Sequence, residues 1–290
     1  MLNDLKRGPS SAPIRRSATA GRDNVADQNT NLPLLVEVEP PLGWLIFNRP
    51  QVRNALNLET WRRLATGIAE LDADERVRVI ILRGSTPAAF ISGADISEFP
   101  SQRADARQAA AYRAQVDHSL ATMINCRKPV LAMMSGFCIG GGVQVALACD
   151  IRFAAKGTRF GVPAARLGLA YPIDGVQALI QVVGPANARD ILFSARRFEA
   201  EEAFHMGLVN RLLEPDELEQ QVREYALKMA DNAPLTLAAA KVTIREALRD
   251  PAERDLQTIL DMITRCYESE DYREGVHAFL ERRQPKFAGR

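Results

Sequence analysis

The residues whose types and spacing could do chemistry here are backbone-exposing glycines rather than side-chain nucleophiles. Gly140-Gly141-Gly142 stands between an apolar run, Pro129 to Met134, with its turn, and a small-residue run ending at Cys149 that reads as a helix. A helix start leaves N–H groups without intrahelical acceptors, at the positive end of the helix dipole. Without a Cβ, Gly141 lets a ligand atom reach the backbone. The chemistry best suited to such a place is stabilisation of an oxyanion, where one well-aimed amide contributes roughly 3–4 kcal/mol. A second donor is expected upstream, in Ala89 to Phe99, which contains Ser92-Gly93-Ala94-Asp95-Ile96 and follows the apolar run Val77 to Leu82. That run reads as a buried parallel strand, and the loops after such strands are where α/β sheets hold ligands. Either glycine segment alone reads as readily as a plain turn; the two together make the case.

Titratable groups near these segments are scarce. Between Asp117 and Asp190 the only acidic side chains are Asp150 and Asp174. Asp150 falls at a helix–strand junction and reads as structural. Asp174 lies in a loop that opens a helix, so it is either a helix N-cap, an acid/base, or both. Tyr171 is held extended by Pro172 and kept in the loop; it is a second candidate, the alternative being a packing aromatic with its hydroxyl at the surface. His118, His205 and His277 fall in helix-patterned segments and read as surface or capping residues. Cys126, Cys138, Cys149 and Cys266 show no metal-ligand spacing, so no metal is expected; they read as reduced core thiols of a cytoplasmic protein, with reactive thiols as the alternative. No Gly-x-Ser-x-Gly, His-Glu-x-x-His, phosphate-binding loop or dinucleotide fingerprint is present, which removes support from hydrolase, metalloenzyme and oxidoreductase readings.

The elements that must position these residues alternate strand and helix. Leu34 to Val38 and Gly43 to Phe47 read as a hairpin with Pro40-Pro41 in its turn. Leu58 to Leu71, Ala104 to Cys126 and Gly142 to Cys149 read as helices, and Val77 to Leu82, Pro129 to Met134 and Ile151 to Ala154 as strands, a βα order that implies right-handed crossovers. Helices dominate the remainder: Gly175 to Val183, Pro185 to Phe193, Ala200 to Met206, Pro215 to Asn232, Pro234 to Leu248, Glu253 to Glu268 and Tyr272 to Arg282. The expected organisation is a disordered tail over residues 1–31, an α/β core over 32–232, and a C-terminal helical subdomain over 233–290. The chain has 290 residues with 47% hydrophobic and 25% charged, the balance of an ordinary globular protein. A net charge of +1 gives no reason to expect nucleic acid or a membrane surface as partner.

Several ordered motifs then resemble the crotonase, or enoyl-CoA hydratase/isomerase, superfamily. They are Asn48-Arg49-Pro50 with Asn54-Ala55-Leu56-Asn57, Ser92-Gly93-Ala94-Asp95-Ile96, Lys128-Pro129-Val130, Gly140-Gly141-Gly142, Ala148-Cys149-Asp150-Ile151, Phe160-Gly161 and Gly207-Leu208-Val209. The resemblance implies the family's spiral of ββα units with a helical C-terminal subdomain, and a homotrimer or dimer of trimers. It implies that the N–H groups of Ala94 and Gly141 hold the thioester oxygen of an acyl-CoA. Arg53, Ala55, Leu56, Asp95, Ile96, Gly140 and Arg282 fall at positions that line CoA in relatives. Coenzyme A would then enter as part of the substrate, with no separate cofactor.

The hydratases of the family carry a carboxylate in the helix after the glycines and another after Phe-Gly-x-Pro, and this sequence has Gln144 and Ala164 there. Neither can titrate. Three readings follow: a hydratase or isomerase working without the usual pair, an enzyme similar to the methylmalonyl-CoA decarboxylases that uses Tyr171 and Asp174, or a non-catalytic acyl-CoA-binding protein. The decarboxylase likeness rests on Leu167-Gly168-Leu169-Ala170-Tyr171 and Tyr267 to Gly275. Those enzymes carry a histidine where this chain has Ala94.

Overall fold

The computed structural model describes residues 32–290, and residues 33–290 form one compact unit. The tail expected over residues 1–31 lies outside the described residues. A six-stranded sheet carries the fold, in the order β1 (Leu34–Glu39), β2 (Leu42–Phe47), β3 (Val79–Gly84), β4 (Val130–Met134), β6 (Ile151–Ala155), β9 (Arg211–Leu213). Only β1 and β2 are antiparallel; every later neighbour is parallel. A second sheet of three strands, β5 (Phe137–Ile139), β7 (Arg159–Gly161) and β8 (Arg197–Glu199), stands beside it.

Both faces of the large sheet are buried, which is why its strands read as continuous apolar runs. Alternate residues Leu45, Phe47, Ile80, Leu82, Val130, Ala132 and Met134 join one core with α1 (Leu58–Ala73), α2 (Ala106–Asn125), α3 (Gly141–Ala148) and α4 (Ile173–Ser194). Their neighbours Leu42, Trp44, Ile46, Val79, Ile81, Leu131 and Met133 join the other with Leu218, Val222, Ala226 and Ala230, which lie one above another on a later helix, Leu218–Ala230. The period of two along each strand assigns each residue to its side.

Polar fastenings hold the helix ends. Asn57 caps α1 by accepting the Thr60 N–H at 2.8 Å, and the Lys128 ammonium donates to the Leu71 and Asp74 carbonyls at its other end, at 2.7 and 2.6 Å. Such a cation at a helix C-terminus satisfies carbonyls that have no partner within the helix. Asp150 accepts the Val130 N–H at 2.7 Å and pairs with Lys241 at 2.8 Å, a structural use.

Between β8 and β9 lies α5 (Ala200–His205), and after β9 come α6 (Leu218–Ala230), α7 (Pro234–Ala247), α8 (Leu256–Glu268) and α9 (Glu270–Leu280). Three expectations are adjusted. The strand expected from Val77 begins at Val79, and the region expected to be dominated by helices also holds the short strands β7, β8 and β9. The two helices expected between Gly175 and Phe193 run on as α4, interrupted only at Gly184, whose φ of 76° is one that glycine accommodates.

Candidate active site

Two loops and one helix start build the site. After β2 the chain turns sharply through Arg53 and Asn54, both left-handed at φ 52° and 57°. Asparagine tolerates that conformation, and Asn54 uses its buried side chain to fix it. Its Oδ1 accepts the Arg49 N–H at 2.9 Å and its Nδ2 donates to the Ala89 carbonyl at 2.8 Å. Arg49 in turn pairs with Asp95 at 2.8 Å and donates to the Ala55 carbonyl at 2.6 Å. The loop after β2 is thereby tied to the loop after β3. The Ser97 hydroxyl and N–H, then Arg49, hold the Asp95 carboxyl below the usual range.

The same two loops meet in a single parallel bridge. Leu56 donates to the Gly93 carbonyl and Asp95 donates to the Leu56 carbonyl, both at 2.8 Å. Successive peptide groups point to opposite sides of an extended chain, so the Ala94 N–H is directed away from Leu56. Gly140 anchors the other half of the site: its N–H donates to the Gly161 carbonyl at 2.8 Å, and its carbonyl accepts from Val143 and Gln144 at 3.0 and 3.2 Å. Its φ of 52° with ψ of −107° is glycine territory. Among the described residues, the N–H groups of Ala94 and Gly141 have no protein acceptor.

These two donors are neighbours. A Cβ added to Gly141 would stand 3.8 Å from the Ala94 nitrogen, 3.1 Å from Leu56 Cδ1 and 3.5 Å from Trp61 Cζ2. The missing side chain is what keeps a gap open between them, with apolar walls. A carbonyl oxygen seated there would meet two fixed dipoles in low-dielectric surroundings, where they act strongly.

One helical turn on, Gln144 is half-buried, and Ala164 packs on the core. A Cβ on Gly175 would lie 2.8 Å from Tyr171 Cε1 and 3.3 Å from Gln144 Nε2, so Tyr171 and Gln144 converge at the start of α4. The Tyr171 hydroxyl is buried and has no hydrogen-bond partner among the described residues, which overturns the alternative of a surface hydroxyl. The ring packs under the loop against the core instead. Burial, and then Cys138 nearby, push its phenol well above the ordinary value. Of the two readings of Asp174, cap and acid/base, the cap is overturned. The N-cap of α4 is Pro172 and no side chain caps it; Asp174 sits inside the first turn, exposed, with no hydrogen bond or ion pair among the described residues.

The remaining candidates fall in different places. Arg53 is exposed, its guanidinium 5.0 Å from the centre of the Phe137 ring; Arg197, from β8, lies 6.0 Å from the same ring. Sequence reading missed Arg197 because β8 is too short to show a pattern. Leu56 is fully buried, its backbone groups paired and its Cδ1 beside the space above Gly141. Asp95 likewise has its N–H paired with Leu56, and Ile96 is exposed. Arg282 lies past α9, exposed and left-handed at φ 57°, and no hydrogen bond or ion pair among the described residues joins it to these loops. Sequence reading also missed a stack beside the donors, Trp61, Tyr112 and Arg103, whose members stand on separate elements.

The cysteine sulfurs are free, and Cys126, Cys138 and Cys149 are buried. Burial pushes the thiols of Cys126 and Cys149 up to about 12 and that of Cys138 well above its ordinary value. They stay protonated at neutral pH, unlike reactive thiolates.

Comparison with known proteins agrees with this geometry. The family model described as enoyl-CoA hydratase/isomerase matches residues 42–290. A crotonyl-CoA hydratase of Syntrophomonas wolfei is 33% identical over 255 residues, covering 88% of this chain and 97% of the relative. A short-chain-enoyl-CoA hydratase of Clostridium acetobutylicum is 33% identical over 252 residues, covering 87% and 95%. A crystal structure of an enoyl-CoA hydratase/carnithine racemase from Magnetospirillum magneticum superposes with a TM-score of 0.85 at 38% identity, covering 89% of this chain and 96% of that one. With its fold, its ordered motifs and this match across nearly all described residues, the chain belongs to the enoyl-CoA hydratase/isomerase family of the crotonase superfamily.

Proposed function

We propose that the protein acts on an acyl-CoA thioester by stabilising the thioester enolate between the N–H groups of Ala94 and Gly141. The observation that carries this reading is the pair of unpartnered amides facing a gap that only a glycine leaves open. Removing a proton or a carboxylate next to a thioester, or adding to its conjugated double bond, places negative charge on the thioester oxygen. Donors fixed beforehand stabilise that charge more than the neutral ground state, which lowers the barrier. Arg53 and the apolar loop around Ala55, Leu56 and Ile96 supply the CoA-facing side, and coenzyme A arrives as part of the substrate.

Hydration needs one group to take a proton from water and another to deliver one to carbon. Gln144 and Ala164 can do neither, and Asp174 stands exposed at the helix start as the one carboxylate of this region. The buried, unpartnered Tyr171 hydroxyl beside Gln144 favours a second reading, decarboxylation, in which departing CO₂ itself leaves the enolate and only a proton donor is required. The oligomer belongs to the same proposal. Phe279, Leu280, Tyr267 and Ile244 of the C-terminal helices are exposed around an apolar groove of about 900 Å³, a surface suited to contact between copies in a homotrimer or dimer of trimers.

The test is to incubate the protein with crotonyl-CoA and with methylmalonyl-CoA, following loss of the conjugated double bond and release of CO₂. Turnover of either supports the enzyme, and the substrate consumed identifies the reaction. Thermal stabilisation by acyl-CoA without turnover of either points to a binding protein, and no stabilisation at millimolar ligand contradicts the thioester site itself.

A further inference from the structure

Arg103 is a cation without a carboxylate. Its guanidinium lies 3.9 Å from the centre of the Tyr112 ring and 4.2 Å from that of Phe99. Its Nε is buried with no hydrogen-bond partner, and no acid pairs with it among the described residues. Acids do stand nearby in sequence, but each has another partner. Asp95 pairs with Arg49, Glu98 accepts the Leu58 N–H at 2.9 Å, and Asp105 caps α2 through the Gln108 N–H at 2.8 Å. The backbone N–H partners of Glu98 and Asp105 leave those carboxylates charged, so what sets Arg103 apart is that no carboxylate contacts its guanidinium among the described residues. Burial pushes the Tyr112 phenol up, with Arg103 pulling the other way.

This charge belongs to the wall of the site. Tyr112 accepts the Trp61 Nε1–H at 3.1 Å, and Trp61 Cζ2 is the atom 3.5 Å from the missing Gly141 side chain. The stack Arg103, Tyr112, Trp61 therefore runs continuously to the edge of the oxyanion gap. It also lies with α2, which packs against α3, the helix that carries Gln144. Arg53 and Arg197 gather instead around the Phe137 ring. One N–H of the guanidinium reaches the Tyr112 hydroxyl, and aromatic rings on its faces leave the other in-plane N–H groups, which match the two oxygens of a carboxylate.

We infer that Arg103 receives a carboxylate on the acyl group, so that the substrates are CoA monothioesters of dicarboxylic acids. This rests on the thioester reading above and names its substrate class. The absence of titratable acids at positions 144 and 164 agrees with it, since a carboxylate there would repel such an acyl group.

The test is calorimetric binding of carbon-matched CoA pairs, malonyl with propionyl, succinyl with butyryl and glutaryl with pentanoyl, to the wild-type protein, Arg103→Met and Arg103→Lys. In at least one pair the carboxylated ligand is expected to bind tenfold or more tightly. Arg103→Met should lose that preference while binding the uncharged partner as before, and Arg103→Lys, which keeps the charge, should retain part of it. Equal affinities within every pair of the wild-type protein overturn the inference and leave the thioester reading standing. An equal loss for both members of a pair in either variant overturns it too, since that marks a merely structural stack. No binding of any of the six ligands overturns both readings.

Discussion

At the scale of single residues, the site is defined by what is missing: a Cβ at position 141 and carboxylates at 144 and 164. Gly141→Ala places a methyl group in the gap, 3.8 Å from the Ala94 nitrogen, against the flexible end of Leu56. The variant is expected to fold, with a melting temperature within a few degrees of wild type, and to lose about 10²-fold or more in kcat, the usual effect of disabling one oxyanion donor. Tyr171→Phe separates two roles of one hydroxyl. A buried hydroxyl with no partner adds nothing to the fold, so its removal should leave stability unchanged or raise it by about 1 kcal/mol. If the hydroxyl serves the substrate, turnover falls in the same variant; differential scanning calorimetry and the CO₂ assay read the two effects. The Tyr171 phenol, pushed upward by burial, stays protonated through the physiological range. The pH–rate profile should therefore show no basic limb from this group below its ordinary value of about 10. The glycine run was legible in the sequence because only backbone geometry explains three adjacent glycines. The placing of Tyr171 was not, because extended backbone before Pro172 leaves the side chain free to point either way.

At the scale of elements, the site depends on two loops being held together, and that join has an electrostatic signature. Folding lowers the Asp95 pKa through Ser97 and Arg49. The resulting stabilisation is present above the unfolded value of about 3.9 and is lost as pH falls through the lower folded value. Melting temperature measured from pH 6 down to pH 2.5 should drop less steeply in Asp95→Asn than in wild type, and the variant should already be less stable at pH 6. The long helices α1 and α2 were legible because apolar residues recur at their period. Strands β5, β7, β8 and β9 were not. Each has three residues, too few to display alternation, and each exists through its neighbours, as when Phe160 pairs with Cys138 on one side and Phe198 on the other. Arg197 and the Arg103 stack escaped notice for the same reason: tertiary contacts, not sequence spacing, bring them to the site.

At the scale of the whole molecule, one sheet with two buried faces supports the loops that carry the donors. The helices after Ala233 are fastened to that core by Lys241 on Asp150, Arg245 on Asn125 at 2.7 Å and Arg78 on the Phe287 carbonyl at 2.5 Å. Their outer face leaves Phe279 83% and Leu280 72% exposed, more apolar surface than an isolated copy gains from showing to water. Sedimentation is expected to give a trimer or hexamer, and Phe279→Glu with Leu280→Glu should shift it toward monomer without changing the circular dichroism of the fold. The crystal structure of the protein with butyryl-CoA tests the central claim most directly. The thioester oxygen is expected about 2.9 Å from both the Ala94 and the Gly141 nitrogens, the ordinary N–H···O distance. A thioester seated elsewhere, or touching only one of the two amides, would contradict it.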